Sequence, residues 1–271
     1  MKYLTKEWYK KLNLIDLHFD LEVIAEAAYK DDDLFESLYQ DEEQRFIENE
    51  KEDYNYDPRE LFDKDNFEEK SDLLDFLEEK EFIDQIIEAF DNRKPFSETK
   101  TKELFAEIYQ DNLDAMKKNL PAEIYNQIVD PRVYALGFCT EEIYSQVQKF
   151  SVKNNREAMQ VLDDYEEAMR LQDIPESLMQ RFDFRGCKIS GWLSQGKDLV
   201  FTLDTEKGFT SDNRITFLDV KTILDENIVN LYWAFEELYK IESGYEVHIL
   251  CDGERTAELI LRCADIRIEE I

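Results

Sequence analysis

The sequence predicts an α+β protein, an N-terminal all-helical domain followed by an antiparallel sheet domain with one helix. Two observations carry that prediction. Six of the seven glycines lie after residue 185, whereas all five prolines lie before residue 176. Glycine marks tight connections between strands, and proline after a polar residue marks helix starts. The hydrophobic period changes at the same place, from helical spacing to alternation. Charge divides there as well: residues 181–271 carry 11 basic and 18 acidic side chains, residues 1–180 carry 22 and 46. These shifts divide the chain into an acidic helical domain, 1–178, and a sheet-plus-helix domain, 179–271.

The elements follow in order. Thr5 caps a first helix that places Trp8, Tyr9 and Leu12 on one face. Asp57-Pro58-Arg59-Glu60 offers a capping Asp, Pro at the first helical position and Glu three residues after the cap. Ser71 precedes a run in which Leu73, Phe76, Leu77, Ile83, Ile86, Ile87 and Phe90 keep helical spacing. Leu104, Phe105, Ile108 and Tyr109 repeat the pattern. Pro121 and Asp130-Pro131 open two more helices, Thr140 caps another, and Met159, Leu162, Tyr165 and Met169 mark one more. Alternation then begins: Cys187 to Leu193, Leu199 to Leu203, and Ile215 to Phe217 read as half-buried strands. Ile228, Leu231, Tyr232, Phe235, Leu238 and Tyr239 have the spacing of an amphipathic helix. Tyr245 to Ile249 and Ala257 to Cys263 are strands around Asp252-Gly253, giving the order β-β-β-α-β-β.

Composition bounds the function. A hydrophobic fraction of 43% supports sizeable cores, while the formal net charge of −31 excludes nucleic-acid or anionic-membrane binding through clustered Lys and Arg. The opening MKYLTKEWYKK has no apolar h-region, and no run approaches the ~18 apolar residues of a membrane span. Cys139, Cys187, Cys251 and Cys263 form no CxxC pair and are expected to be reduced and buried. A cytoplasmic protein is the expectation.

TKEWY at the start, DLHFDLEV at Asp16 to Val23, LPAEI at Leu120 to Ile124 and RVYALG at Arg132 to Gly137 form one pattern. GFT at Gly208 to Thr210, GYEVHIL at Gly244 to Leu250 and ADIRIE at Ala264 to Glu269 continue it. Over essentially its whole length the chain resembles a family of acidic bacterial cytoplasmic proteins classed only as a domain of unknown function. The resemblance implies no activity and assigns no catalytic role.

The chemistry-bearing candidates are few. His18 lies between Asp16 and Asp20 and could share a helix face with Glu22 and Glu26, but no second imidazole is near to complete a metal site. Asp53, Asn55 and Asp57 begin like a calcium loop, yet Pro58 stands where Gly is required and Lys64 where the bidentate Glu belongs. No nucleophile–base motif or phosphate-binding glycine loop occurs. No catalytic residue, cofactor or metal ligand is therefore assigned. His248 is expected opposite Glu258 in a cross-strand pair, with Ile249 facing Ala257 and Val247 facing Leu259. Asp31 to Asp91 holds 25 acidic and 6 basic residues, either a set of solvated helix faces or a surface for a basic partner. The reading is an interaction or regulatory module whose partner is unknown, a basic protein being the fit, with no nucleic acid and no membrane. A hydrolase using carboxylates and a divalent metal is the alternative.

Overall fold

A computed structural model describes residues 1–60 and 80–271. The architecture is α+β, with helices in the N-terminal region and an eight-stranded antiparallel sheet in the C-terminal region. Backbone contacts gather the chain into two compact units: a sheet unit of Met1–Leu17 with Gln148–Ile271, and a helical unit of His18–Val147. The compositional boundary at 178/179 falls within the sheet unit and marks where the long strands begin.

In the helical unit, β1 (Glu22–Val23) pairs in parallel with β2 (Phe138–Cys139). Between them run a 3₁₀ turn at Ala25–Ala28 and the helices α2 (Asp32–Asn55), α3 (Lys80–Asp91), α4 (Glu98–Asn119), α5 (Ala122–Tyr125) and α6 (Pro131–Ala135). Side-chain caps set the starts. Asp31 accepts from the Asp33 and Leu34 N–H groups, Ser97 from Lys100, and Asp130 from Arg132 with Pro131 in the first turn. Asp57-Pro58 opens only a 3₁₀ turn, Pro58–Glu60, within the described residues. The helix expected after Ser71 lies outside them up to residue 79; its second half, with Ile83 buried, is α3. α2 and α4 pack through rings: Tyr39 lies edge-on to Phe105 at 5.1 Å and to Tyr109 at 5.3 Å, and Phe46 meets Phe105 at 5.7 Å. After α6, Gly137 has φ +95°, the left-handed turn that ends a helix, and a Cβ there would press on the Asp20 carbonyl oxygen at 2.9 Å.

The two helices expected around Thr140 and Met159 are one, α7 (Glu141–Arg170). No Gly or Pro interrupts that span, and two polar residues at its middle, Ser151 and Asn154, are buried rather than turned out. Ser151 is fully buried, and Asn154 donates to the Leu14 carbonyl at 3.4 Å. Residues 141–147 belong to the helical unit and 148–170 to the sheet unit.

The sheet unit begins with α1 (Lys6–Leu12), where the Thr5 side chain accepts from the Trp8 N–H. After α8 (Glu176–Arg181) come β3 (Lys188–Gln195), β4 (Asp198–Asp204), β5 (Arg214–Leu218), β6 (Lys221–Asp225), β7 (Tyr232–Ile241), β8 (Gly244–Asp252), β9 (Ala257–Cys263) and β10 (Asp265–Glu269). Their spatial order is β10-β5-β4-β3-β7-β8-β9-β6. One face holds the main core, including Phe201, Phe217, Trp233, Val247, Ile249 and Leu259, all at most 1% exposed. Each such side chain contributes about 1.5–3 kcal/mol by leaving water. The β7–β8 region is covered on its other face by α1 and α7: Trp8, buried with Ala158, meets Phe235 edge-on at 4.8 Å. Hence β8 is buried at eight consecutive positions instead of alternating.

The strand order corrects the expected β-β-β-α-β-β. The segment read as a helix, Ile228 to Tyr239, contains β7. Register slips between Trp233 and Phe235, which face Cys251 and Leu250, so a bulge at Ala234 sends the two aromatic rings to opposite faces. Two covered faces and one extra residue produce apolar spacings of three and four, the signature of a helix. β6 and β10 were also not expected as strands. Both are edges of five residues, and β6 is exposed throughout.

Candidate functional site

The helical unit carries 37 acidic and 14 basic residues, a net of −23, against −8 for the sheet unit. Helical pitch arranges this charge. On α4, Glu103, Glu107 and Asp111 recur every four residues and Asp114 follows one turn on, so their carboxylates form one row. All four are exposed, and among the described residues none has a cationic partner within 4 Å. Leu104 and Ile108 run alongside at the same spacing and are 43% and 39% exposed. The opposite stripe of α4 is the buried one, with Thr101, Phe105 and Met116. On α2, Asp32, Asp33, Glu36, Asp41, Glu48 and Glu52 are exposed. Cations are spent locally: Arg45 pairs with Glu42, and Lys102 lies near Glu43 and Glu98. The result is an acidic face with two apolar side chains left in water.

A second concentration of charge is sealed inside the sheet unit. His248 projects from β8 on the face covered by α1 and α7. Its Nε2 lies 3.0 Å from Glu246 Oε1, and its Nδ1 lies 3.2 Å from Glu237 Oε2 without the alignment of a hydrogen bond. Glu237 is fully buried. Its carboxylate accepts the backbone N–H groups of Lys2, Tyr3 and Leu4, each at 2.7 Å, and the Tyr239 hydroxyl at 3.0 Å. Burial alone would push this carboxyl up, but His248 and the three N–H donors outweigh it and hold it down at about 2. Glu246 is likewise pushed up by burial and pulled to about 2 by His248, Arg262 and Lys2. Four donors, one imidazole and two cations, Lys2 and Arg262, thus satisfy two buried carboxylates. The cluster ties the Lys2–Leu4 segment to β7 and is 4% exposed at His248, so it is a fastening rather than an open site.

The structure places the remaining candidates as follows. His248 lies opposite Ile260, not Glu258, and Ile249 lies opposite Leu259. The connection Asp252 to Thr256 is two residues shorter than the expected register required, which moves the pairing by two and keeps every residue on its expected face. Glu258 instead lies 3.3 Å from the Met1 amino nitrogen. His18 is not helical; it sits in a turn, 7% exposed, its ring 4.4 Å from that of Phe19, with Nδ1 unpartnered. Glu22 is in β1 and Glu26 in a 3₁₀ turn, so no shared helix face exists. All four cysteines are free and buried, and burial pushes the thiols of Cys251 and Cys263 up to about 12. Among the described residues no group of three or more His, Cys, Asp or Glu has the geometry to hold a metal ion, and no helix is long and apolar enough to cross a membrane.

Sequence reasoning missed Glu237, Glu246 and the α4 row. The signal for the first two was present: two acids and a histidine in strands that are otherwise apolar require buried partners.

These features define an α+β protein with an acid-rich helical unit and an eight-stranded antiparallel sheet fastened from behind by an ionic cluster. The chain belongs to the family described as "Protein of unknown function (DUF4085)", which matches residues 61–261. No curated protein and no solved structure matches it.

Proposed function

We propose that this protein is a non-catalytic interaction module whose acidic helical surface docks a basic protein. The observation that carries the reading is the α4 face, where Glu103, Glu107, Asp111 and Asp114 have no cationic partner among the described residues and stand beside exposed Leu104 and Ile108. Unpaired charge alone is a solvated surface; unpaired charge beside exposed aliphatic side chains suits a partner that brings both cations and apolar area. Electrostatics would then steer association, and the two aliphatic residues would form its dry centre. The hydrolase alternative gains no support from the arrangement of carboxylates.

Binding to immobilised basic proteins from native extract tests the reading. Capture should weaken as salt rises, fall at least ten-fold in E103K/E107K/D111K, and fall in L104S/I108S with its salt dependence unchanged. Capture indifferent to both triple and double variants would overturn it.

A further inference from the structure

We propose that a cavity at the N-terminal end of α7 binds a small uncharged molecule through a carbonyl oxygen. The cavity lies within the helical unit and measures about 330 Å³, in the range of small-ligand sites. At about 30 Å³ per water, that is room for roughly ten non-hydrogen atoms. Its apolar walls come from Ala27, Ala28, Ile128, Val129, Phe138 and Ile143.

Beside the Gln127 amide and the Asp130 and Glu142 carboxylates, the lining holds three hydrogen-bond donors, Tyr134, Cys139 and Thr140. Tyr134 is 8% exposed; among the described residues its hydroxyl has no hydrogen-bond partner, and the oxygen is not sealed from solvent. Burial pushes its phenol well above the usual value, so it stays a donor. Cys139 is 3% exposed; burial pushes its thiol up to about 11 against the opposing Tyr144 N–H, so it too keeps its proton. Thr140 accepts from the Ile143 N–H at 3.3 Å, and its own hydroxyl hydrogen remains to be donated. As the second residue of α7, Glu142 has an N–H group with no intrahelical acceptor. A tyrosine hydroxyl on a largely buried ring ordinarily finds a partner, and one that opens only onto a cavity fits an acceptor supplied from outside.

Charge selects among acceptors. Asp130 and Glu142 line the same cavity, and the unit as a whole is −23, so a carboxylate or phosphate would enter a repulsive field. The Asp130 carboxylate is already taken by Arg132, through its backbone N–H at 3.0 Å, Nε at 3.0 Å and Nη2 at 2.7 Å. An ammonium ion has no lone pair for Tyr134, Cys139 or Thr140. A neutral amide or ketone satisfies both conditions.

The test uses the full-length protein with benzamide, benzoate and benzylamine as probes of matched size, read by methyl NMR at Ala27, Ile128 and Ile143. Benzamide should shift all three methyls saturably and bind at least ten-fold more tightly than benzoate or benzylamine. Tyr134→Phe removes a hydroxyl with no partner among the described residues, so the fold should persist while benzamide weakens roughly two- to ten-fold, the value of one hydrogen bond. Ala28→Trp, at an exposed position on the rim, should abolish the shifts. Unmoved methyls at the solubility limit, equal affinity for the three probes, or a Tyr134→Phe variant that binds as the parent does would each overturn the proposal.

Discussion

Glu236 and Glu237 project from β7 to opposite faces of the sheet, and the two faces treat a carboxylate differently. Glu237 meets the backbone donors of Lys2, Tyr3 and Leu4. Glu236, on the core side with Ile249, has the Trp233 indole N–H at 2.7 Å, and burial pushes its carboxyl up to about 8 despite that bond. Opposite shifts give opposite pH dependence. The folded value of Glu237 is depressed, so its stabilisation is present above the unfolded value of about 4.3 and is lost as pH falls toward about 2. The folded value of Glu236 is raised, so its contribution is complete below about 4.3 and is lost as pH rises through about 8. Urea titrations between pH 4 and 9 should therefore show stability falling with pH, and Glu236→Gln should flatten that slope. A parallel slope in the variant would mean that Glu236 does not hold a proton in the folded state. Trp233 fluorescence offers a second check, because its emission should titrate near the same pH in the parent alone.

At the scale of elements, the Lys2–Leu4 segment is neither helix nor strand, yet its amides are bonded to a fully buried carboxylate. Hydrogen exchange at Tyr3 and Leu4 should be as slow as in β8. Glu237→Ala should release it while costing about 3–5 kcal/mol in urea unfolding, since three N–H groups and His248 lose their counterpart. Fast exchange at both amides in the parent would remove the fastening. Elements whose chemistry is local were legible in the sequence: the Thr5, Asp130 and Thr140 caps, the strands from Cys187 onward, and the glycine-rich turns. Gly244 shows why, since φ +133° and the nearby Cys263 carbonyl leave no room for a Cβ. Elements decided by what covers them were not. β7 reads as a helix because a bulge and two covered faces erase its alternation, and β6 carries too little apolar pattern to register. The same applies to the sites. The acidic excess was plain, but the row on α4 depends on which stripe packs, and the Glu237–His248–Glu246 cluster depends on pairing across strands.

Over the whole molecule, composition and packing draw different boundaries. The break at 178/179 separates helical from strand-forming sequence, whereas the sheet unit also includes 1–17 and 148–178. A fragment of 179–271 would leave Glu237 without its backbone donors and Phe235 without Trp8, so it should melt well below the intact chain. Cooperative melting at the parent temperature would instead make the compositional boundary a folding boundary.

Charge provides the sharper contrast. In the helical unit 14 cations cannot neutralise 37 anions, so carboxylates along α2 and α4 face like charges. Each exposed i,i+4 repulsion is worth a few tenths of a kcal/mol, but many add together. Salt screens them, the Debye length falling from about 30 Å at 0.01 M to about 3 Å at 1 M. The sheet unit, at −8 with its buried carboxylates already paired, has little to gain. Native-state hydrogen exchange can follow both units in the intact protein, with Phe105 and Val133 reporting on one and Phe201 and Leu259 on the other. Raising sodium chloride should increase protection at the first pair and leave the second nearly unchanged. A basic protein docked on the α4 face should do the same at low salt and lose its effect at high salt, because it supplies the missing counter-charge. Equal responses from both units would mean that the repulsion is spread over the chain. No response in either would mean that the acidic rows are already neutralised, and the surface would then have no charge left to offer a basic partner.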